Sequence, residues 1–221
     1  MLLPAPSVAQ DFDTGFGAQE SGDYSAAFRE QKLAAKQGVA SAQFILGYMF
    51  RYGDGVSEDH VEAARWYRLA AEQGHAMSQN ILGLMYQLGE GVPQDYSEAA
   101  RLYQLAAEQG IAIARVNLGR MYQLGEGMPQ DYAEAVRLYR LAAKQGLAIA
   151  QNSLGRVYAI GVGVPQDDVA AHMWLNIGAA NGSADAGDAR DFVAGRMSSG
   201  AIAEAQRRAR TCMASNYKDC D

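Results

Sequence analysis

Apolar residues recur at helical spacing along most of the chain, in segments separated by short glycine-rich stretches. In one segment Leu82, Met85 and Tyr86 fall on one side of a helix, and apolar residues return at the same places 36 residues further on. A second helical pattern, in which alanines surround bulky aromatic residues, lies between these segments, as in the run EAARWYRLAAEQG. The chain is therefore predicted to be all-α, with a helix A and a helix B that alternate.

Glycines mark the period of this pattern. Because a period of about 20 to 50 residues is typical of a repeat array, the spacing indicates stacked units and not one globular core. Units that end at the recurrent glycines span 39–74, 75–110, 111–146 and 147–182. The glycines that close these units, and the one before them, are Gly38, Gly74, Gly110, Gly146 and Gly182, and a second set inside helix A comprises Gly47, Gly83, Gly119 and Gly155.

Each predicted helix has a start or stop signal at a fixed place in the unit. Tandem glycines such as Gly89 and Gly91 end helix A, because glycine readily adopts the positive φ of a tight helix exit. An aspartate opens helix B in every unit, and in three units a glutamate three residues later predicts a capping box. These residues are Asp59, Asp95, Asp131 and Asp167, followed by Glu62, Glu98 and Glu134.

The glycine inside helix A needs a reason of its own. Glycine costs about 0.5 to 1 kcal/mol relative to alanine in a helix interior. We expect Gly83 and its counterparts to permit a close approach to the alanines of helix B.

The unit resembles the Sel1-like repeat, a relative of the tetratricopeptide repeat. The matching residues are Leu82-Gly83, Tyr86, Gly89-Glu90-Gly91-Val92, Asp95, Glu98-Ala99 and Ala106-Ala107-Glu108-Gln109-Gly110. This resemblance implies a right-handed α-solenoid, a superhelix of stacked antiparallel helix pairs. It covers residues 39–182 almost without a gap.

The flanks match less strictly. Residues 10–38 look like a shortened first repeat, which is predicted to form an N-terminal capping helix pair. Residues 183–221 are predicted to form C-terminal capping helices that are broken near Ser198-Ser199-Gly200 and hide the last apolar face of the array.

Both ends of the chain carry hints of export. Residues 1–9 fit the end of a signal peptide with cleavage after Ala9, and a disordered tail is the alternative. The only two cysteines, Cys212 and Cys220, suit a local disulfide in an oxidising compartment, with two free thiols as the alternative. These features favour a periplasmic or secreted protein over a cytoplasmic one.

Three positions of helix A vary between units and share one helical face, at spacing i, i+4 and i+7. The resemblance places helix A on the concave side of the array, so this stripe is the candidate groove for a peptide or helix. A solvated face without a ligand is the alternative. The residues are Phe44, Tyr48 and Arg51, then Asn80, Leu84 and Gln87, then Val116, Arg120 and Gln123, and finally Asn152, Arg156 and Ala159.

Motifs for catalysis, metals or cofactors are weak. His60, His75 and His172 occupy different places in their units, and neither an HExxH motif nor cysteines at metal-binding spacing occur. The GxG turns lack the third glycine and the preceding strand of a dinucleotide-binding loop. We therefore predict no catalytic residue, no metal site and no cofactor.

The predicted function is a non-catalytic scaffold that binds a protein or peptide partner. A net charge of −6 and a pI near 5.1 disfavour nucleic acid as a partner, and no apolar run is long enough to cross a membrane. Two alternatives stay open. One is a β-lactam-binding or hydrolysing enzyme like some cysteine-rich Sel1-like relatives, whose paired cysteines this chain lacks. The other is a self-associating structural protein that forms a homo-oligomer.

Overall fold

The fold was analysed in a computed structural model that describes residues 24–220. These residues form eleven helices and no strand. The helices are α1 (Tyr24–Lys36), α2 (Ala40–Tyr52), α3 (His60–Glu72), α4 (Ala76–Leu88), α5 (Tyr96–Glu108), α6 (Ala112–Leu124), α7 (Tyr132–Ala143), α8 (Ala148–Ile160), α9 (Asp168–Ala180), α10 (Ala184–Ala194) and α11 (Ser199–Ala214).

The chain divides into two compact units, Met1–Leu105 and Ala106–Asp221. In the first unit α1 packs on α2, α2 on α3 and α3 on α4. In the second unit each helix from α6 to α10 packs on the next, and α11 packs on α9. The predicted fold class, all-α with helix pairs packed in series, is confirmed.

Residues 1–23 lie outside the described part of the chain. The predicted signal-peptide remnant at 1–9 and the first half of the predicted capping pair at 10–38 therefore lie outside the described residues. The second half of that pair contains α1, which ends at Lys36.

The predicted helix ends are confirmed at both glycine sets. Helix A ends in every repeat at a glycine in the left-handed conformation, with φ between 71° and 75° at Gly53, Gly89, Gly125 and Gly161. Helix B ends before a second left-handed glycine. At Gly74 the next residue, His75, donates its N–H to the carbonyl of Ala70, which closes a Schellman turn.

One of the two hydrogen bonds of the predicted capping box is present, and the prediction of the other is wrong. The aspartates do cap helix B, since the Asp95 carboxylate accepts from the N–H of Glu98 at 3.0 Å. Glu98, however, does not return the bond, because the Asp95 N–H already donates to the carbonyl of Tyr86. The glutamate instead pairs with Arg101 one turn later, and the same arrangement recurs at Glu134.

The glycine inside helix A does permit a close approach, but to a larger side chain than expected. A Cβ built on Gly83 would lie 3.0 Å from the ring of Tyr103, and on Gly119 it would lie 2.8 Å from the ring of Tyr139. In the fourth repeat, Leu175 takes the place of the tyrosine. The expected approach to the alanines of helix B is also present, since a Cβ on Gly83 would lie 3.2 Å from the carbonyl oxygen of Ala99.

The second glycine of a tandem pair serves the stacking of repeats at Gly91 and Gly163. Gly91, with φ of 67°, lies directly against the carbonyl of His60, the first residue of α3 in the preceding repeat. Gly163 lies in the same way against Tyr132, where an added Cβ would meet the carbonyl oxygen at 2.5 Å. Any larger residue would force adjacent repeats apart.

Buried polar side chains join each helix A to the end of the preceding helix B. Gln79 donates from Nε2 to the carbonyl of Ala71 at 3.1 Å, and this carbonyl also accepts from the N–H of Gly74 in the turn that ends the helix. Equivalent bonds run from Gln43 to Ala35, from Arg115 to Ala107 and from Gln151 to Ala143. These links fix the register of one helix on the next.

The C-terminal region closes the second unit. Helix α10 keeps the register of a helix A, because Ala186 and Val193 are buried at the places of Ala150 and Val157. Helix α11 contributes Ala205, Ala209 and Cys212 to the core of the unit. The Cys212–Cys220 disulfide is present and buried, with 4.5 Å between the Cα atoms.

Candidate functional site

The predicted stripe has three columns, which are the first, middle and third of the varying positions in each helix A. The first column, Phe44, Asn80, Val116 and Asn152, faces the protein interior. Asn80 and Val116 are only 7% and 6% exposed. The ring of Phe44 lies 4.8 Å from that of His75, and Asn152 is half-buried. Asn80 and Val116 therefore offer almost no surface to a partner, whereas Phe44 and Asn152 are partly covered.

The third column supports helix B. The hydroxyl of Tyr103 donates to Gln87 Oε1 at 2.9 Å, and the hydroxyl of Tyr139 donates to Gln123 in the same way. Burial raises the pKa of Tyr139 to about 12, and nearby Arg120 opposes that rise. Each tyrosine therefore stays a neutral donor to its glutamine.

The first repeat departs from this arrangement. Arg51 stands where the glutamine would be, and its guanidinium pairs with Glu90 at 2.9 Å. Arginine has no acceptor to offer, so the buried hydroxyl of Tyr67 has no hydrogen-bond partner among residues 24–220. Burial raises the pKa of this tyrosine as well.

The middle column is accessible to solvent. Arg120 and Arg156 are exposed, and Tyr48 and Leu84 are partly exposed. Four residues after each of them, at the last position of helix A, stands an apolar residue that is 50–61% exposed. These residues are Tyr52, Leu88, Leu124 and Ile160.

The two columns together form what we call the helix-A face. Residues four apart on a helix are neighbours on its surface, so each middle-column residue lies beside the apolar residue that follows it. The face comprises Tyr48, Tyr52, Leu84 and Leu88 in the first unit, and Arg120, Leu124, Arg156 and Ile160 in the second. In the first unit the rings of Tyr48 and Tyr52 lie 4.6 Å apart.

Sequence reasoning found the middle column of this face and missed its apolar column. An apolar residue that recurs at the same place in every repeat is expected to serve stacking. The available signal was the spacing, because Leu88 follows Leu84 by one helical turn and precedes the glycine that ends the helix.

A cleft of roughly 600 Å³ in the second unit offers a second place for a ligand. It lies between the starts of α9 and α11 and is lined by Asp168, Arg196 and Ser198. Arg196 is already committed, since it binds Asp168 at 2.5 Å and the carbonyl of Ala159 at 2.6 Å. This ion pair holds the pKa of Asp168 below its usual range, and the other charged group of the cleft, Asp167, accepts from the N–H of Ala170 as the cap of α9.

Other chemistry is sparse in the described part of the chain. No three of its His, Cys, Asp or Glu side chains are grouped so that they could hold a metal ion. None of the helices within residues 24–220 is long and apolar enough to cross a membrane. His60 contacts Glu58, His75 contacts Ser78 and His172 is buried in α9, so the three histidines share no site.

His172 gives the protein a predictable response to acid. Its buried Nδ1 has no partner within the described residues, and burial and Arg190 lower its pKa below 6.5, although Asp191 opposes this. Below pH 6.5 the unfolded chain therefore binds a proton that the folded chain does not, and the free energy of unfolding falls as the pH decreases. Chemical unfolding between pH 7.5 and 5 should show this loss.

The matched control is His172→Phe, which removes the titrating group at similar size. We expect this variant to lose less stability between pH 7.5 and 5 than the unaltered protein does. Equal losses in the two proteins would show that His172 does not contribute.

Comparison with known proteins identifies the repeats. The family model described as the Sel1 repeat matches residues 40–75, 76–111, 112–147 and 148–183, which make up more than half of the chain. The comparison with curated proteins gives no match.

Solved structures of similar fold include two with substantial identity. A Sel1 repeat protein from Oxalobacter formigenes is 34% identical, with a TM-score of 0.76 over 92% of this chain and 87% of its own. A protective antigen of uropathogenic Escherichia coli strains, which displays an SLR fold, is 37% identical with a TM-score of 0.75 over 86% of this chain. This chain spans 40% of the length of that antigen.

A more distant neighbour shares the fold alone. It is an immunity protein from Pseudomonas aeruginosa, 19% identical, with a TM-score of 0.51 over 99% of this chain and 85% of its own. The four matched repeats and the 34% identity to a Sel1 repeat protein agree with the helix pairs described above. The chain belongs to the Sel1 repeat family.

Proposed function

We propose that this protein is a non-catalytic interaction scaffold, in which each unit presents its helix-A face to a peptide or helix of a protein partner. The observation that carries the proposal is the recurrence of an exposed apolar side chain at the last position of every helix A. Scattered exposed apolar residues are normal on a protein surface, whereas a row at one repeated position forms a surface suited to binding.

The physical advantage of such a surface is preorganisation. Stacked helices hold the helix-A face without a change of backbone, so a partner meets side chains that are already in place. In the first unit the pair Tyr48 and Tyr52 adds rigid aromatic area, which loses little conformational entropy on binding.

No observation favours the β-lactam alternative. The cysteine-rich relatives carry paired cysteines within each repeat, whereas both cysteines of this chain lie after the repeats and form one disulfide. Self-association is a possible form of the proposed binding and is distinguished by the experiment below.

We further propose that the protein works in an oxidising compartment, the periplasm or the outside of the cell. The support is the buried Cys212–Cys220 disulfide, since disulfides persist mainly in such compartments. Fractionation of native cells, with detection by an antibody, tests this. Recovery only in the cytoplasm would contradict it.

Affinity capture from a native extract tests the scaffold role. Two variants remove apolar side chains from the helix-A face, Tyr52→Ser/Leu88→Ser in the first unit and Leu124→Ser/Ile160→Ser in the second. At least one of them should reduce recovery of a specific partner about tenfold, because each buried apolar side chain contributes about 1 kcal/mol or more.

The control is Val61→Ser/Leu141→Ser, which removes two exposed apolar residues that lie on helix B. It should retain the partner, and all variants should keep the thermal stability of the original chain. Equal recovery by all variants would place binding elsewhere. Recovery of this same chain as the partner would identify self-association.

A further inference from the structure

The helix-A face of the second unit carries two arginines without an acidic partner. Arg120 and Arg156 are exposed, and neither forms an ion pair or a hydrogen bond within residues 24–220. Most other arginines of this unit differ from these two because they are paired with carboxylates. These pairs are Arg137 with Glu134, Arg190 with Asp191, Arg196 with Asp168, and Arg207 and Arg208 with Glu204.

The two arginines occupy the same position of consecutive repeats. Arg120 is on α6 and Arg156 is on α8, and these two helices contact each other. Packed helices have axes about 8–10 Å apart. A peptide in the extended polyproline II conformation rises about 3.1 Å per residue and has three residues per turn, so its side chains three residues apart lie on one face and match this separation.

The position of Arg120 and Arg156 recurs once more, on α10, where it is occupied by a phenylalanine. Phe192 has the same position in the helix-A register, is 76% exposed, and α10 contacts α8. Unpaired basic side chains are not found at this position, because Arg190 of α10 pairs with Asp191, and Arg196, which lies over the Phe192 ring, pairs with Asp168. The third position therefore suits an apolar side chain and not a third carboxylate.

We propose that the second unit binds an extended acidic segment of a partner protein. Two carboxylates three residues apart would meet Arg120 and Arg156, and an apolar side chain three residues further would cover Phe192. Leu124 and Ile160, one turn along each helix, would flank the carboxylates with apolar surface. The inference rests on the proposed scaffold function and adds the chemical class of the partner.

Charge complementarity favours this occupant over a neutral or basic one. The chain as a whole has a net charge of −6, so two unpaired cations at one repeated position stand out from an acidic surface. Exposed arginines can bind a carboxylate through two parallel hydrogen bonds, which adds direction to the attraction. A basic segment would meet only repulsion at this position.

Selection from a display library of random 12-residue peptides on the immobilised full chain tests the proposal. The selected peptides are then measured against Arg120→Gln/Arg156→Gln and against the control Arg210→Gln, an exposed arginine of α11. We expect enrichment of Asp or Glu at a spacing of three followed by an apolar residue. The double variant should weaken binding about tenfold, whereas the control should change it less than twofold.

Two other results of the selection would contradict the proposal. Selected peptides that are not acidic, or that ignore the double arginine variant but are lost with Leu124→Ser/Ile160→Ser, would overturn the acidic partner and leave the scaffold function standing. A lack of enrichment, or binding that ignores both sets of changes, would count against both proposals. The affinity of acidic peptides should also fall as salt is raised from 50 to 300 mM.

Discussion

Gly91→Ala is expected to lower the free energy of unfolding by about 3 kcal/mol or more. Two costs combine at this position. The residue has a φ of 67°, which disfavours any side chain, and an added Cβ would overlap the backbone carbonyl of His60 in the preceding repeat. A carbonyl fixed at the start of α3 cannot move aside as the end of a flexible side chain could.

The matched control is Gly74→Ala. Gly74 also has a positive φ, of 86°, but nothing lies within 4 Å of the place where its Cβ would be. We expect it to cost about 1 kcal/mol, the strain of the left-handed conformation alone. Urea unfolding followed by circular dichroism measures both. Equal losses would contradict the close approach of Gly91 to the carbonyl of His60.

Loss of the Cys212–Cys220 disulfide is expected to cost about 2–3 kcal/mol, which corresponds to closing a loop of this length in the unfolded chain. The bond also encloses two non-glycine residues that have a left-handed backbone conformation. Asn216 and Tyr217 have φ values of 54° and 64°, and the Tyr217 hydroxyl accepts a hydrogen bond from Asn181 at 2.8 Å.

Reduction and mutation together isolate this effect. Dithiothreitol should lower the melting temperature of the unaltered protein and leave that of Cys212→Ala/Cys220→Ala unchanged. This comparison separates the cross-link from the small loss of packing that the alanines cause. An unaltered protein whose melting temperature ignores dithiothreitol under conditions that reduce the bond would contradict the expected stabilisation.

The boundaries of the helices could be predicted from sequence because their causes are local. A left-handed glycine such as Gly53 and a capping aspartate such as Asp59 act within a few residues of their own positions. The second half of the capping box could not be predicted in this way. It depends on whether the aspartate N–H is free, and in this turn the N–H of Asp59 donates to the carbonyl of Phe50 at 2.8 Å.

The proposed binding surface was harder to predict because hydropathy and exposure disagree there. Asn80 is polar and buried, whereas Leu88 on the same helix is apolar and 55% exposed. Which face of helix A is covered depends on helix B and on the neighbouring repeat, and the sequence of one helix does not contain that information. Variation between repeats identified Arg120 and Arg156 because their positions carry no stacking role.

A comparison between repeats also selected buried positions, and the third column shows why. Gln87 differs from Arg51 at the equivalent position, yet both are engaged inside the protein, one by Tyr103 and the other by Glu90. Variation at a repeated position therefore indicates either a free surface or a repacked contact. The structure is needed to distinguish a free surface from a repacked contact, because the distinction depends on whether neighbouring residues cover the side chain.

The central claim is that the helix-A face is the surface by which this protein binds its partner. The most direct measurement is the amount of partner captured by the unaltered chain and by the helix-A variants, quantified by mass spectrometry beside Val61→Ser/Leu141→Ser. Our account predicts about tenfold less partner on Tyr52→Ser/Leu88→Ser or Leu124→Ser/Ile160→Ser and no loss on the control. Full recovery on both helix-A variants would contradict it.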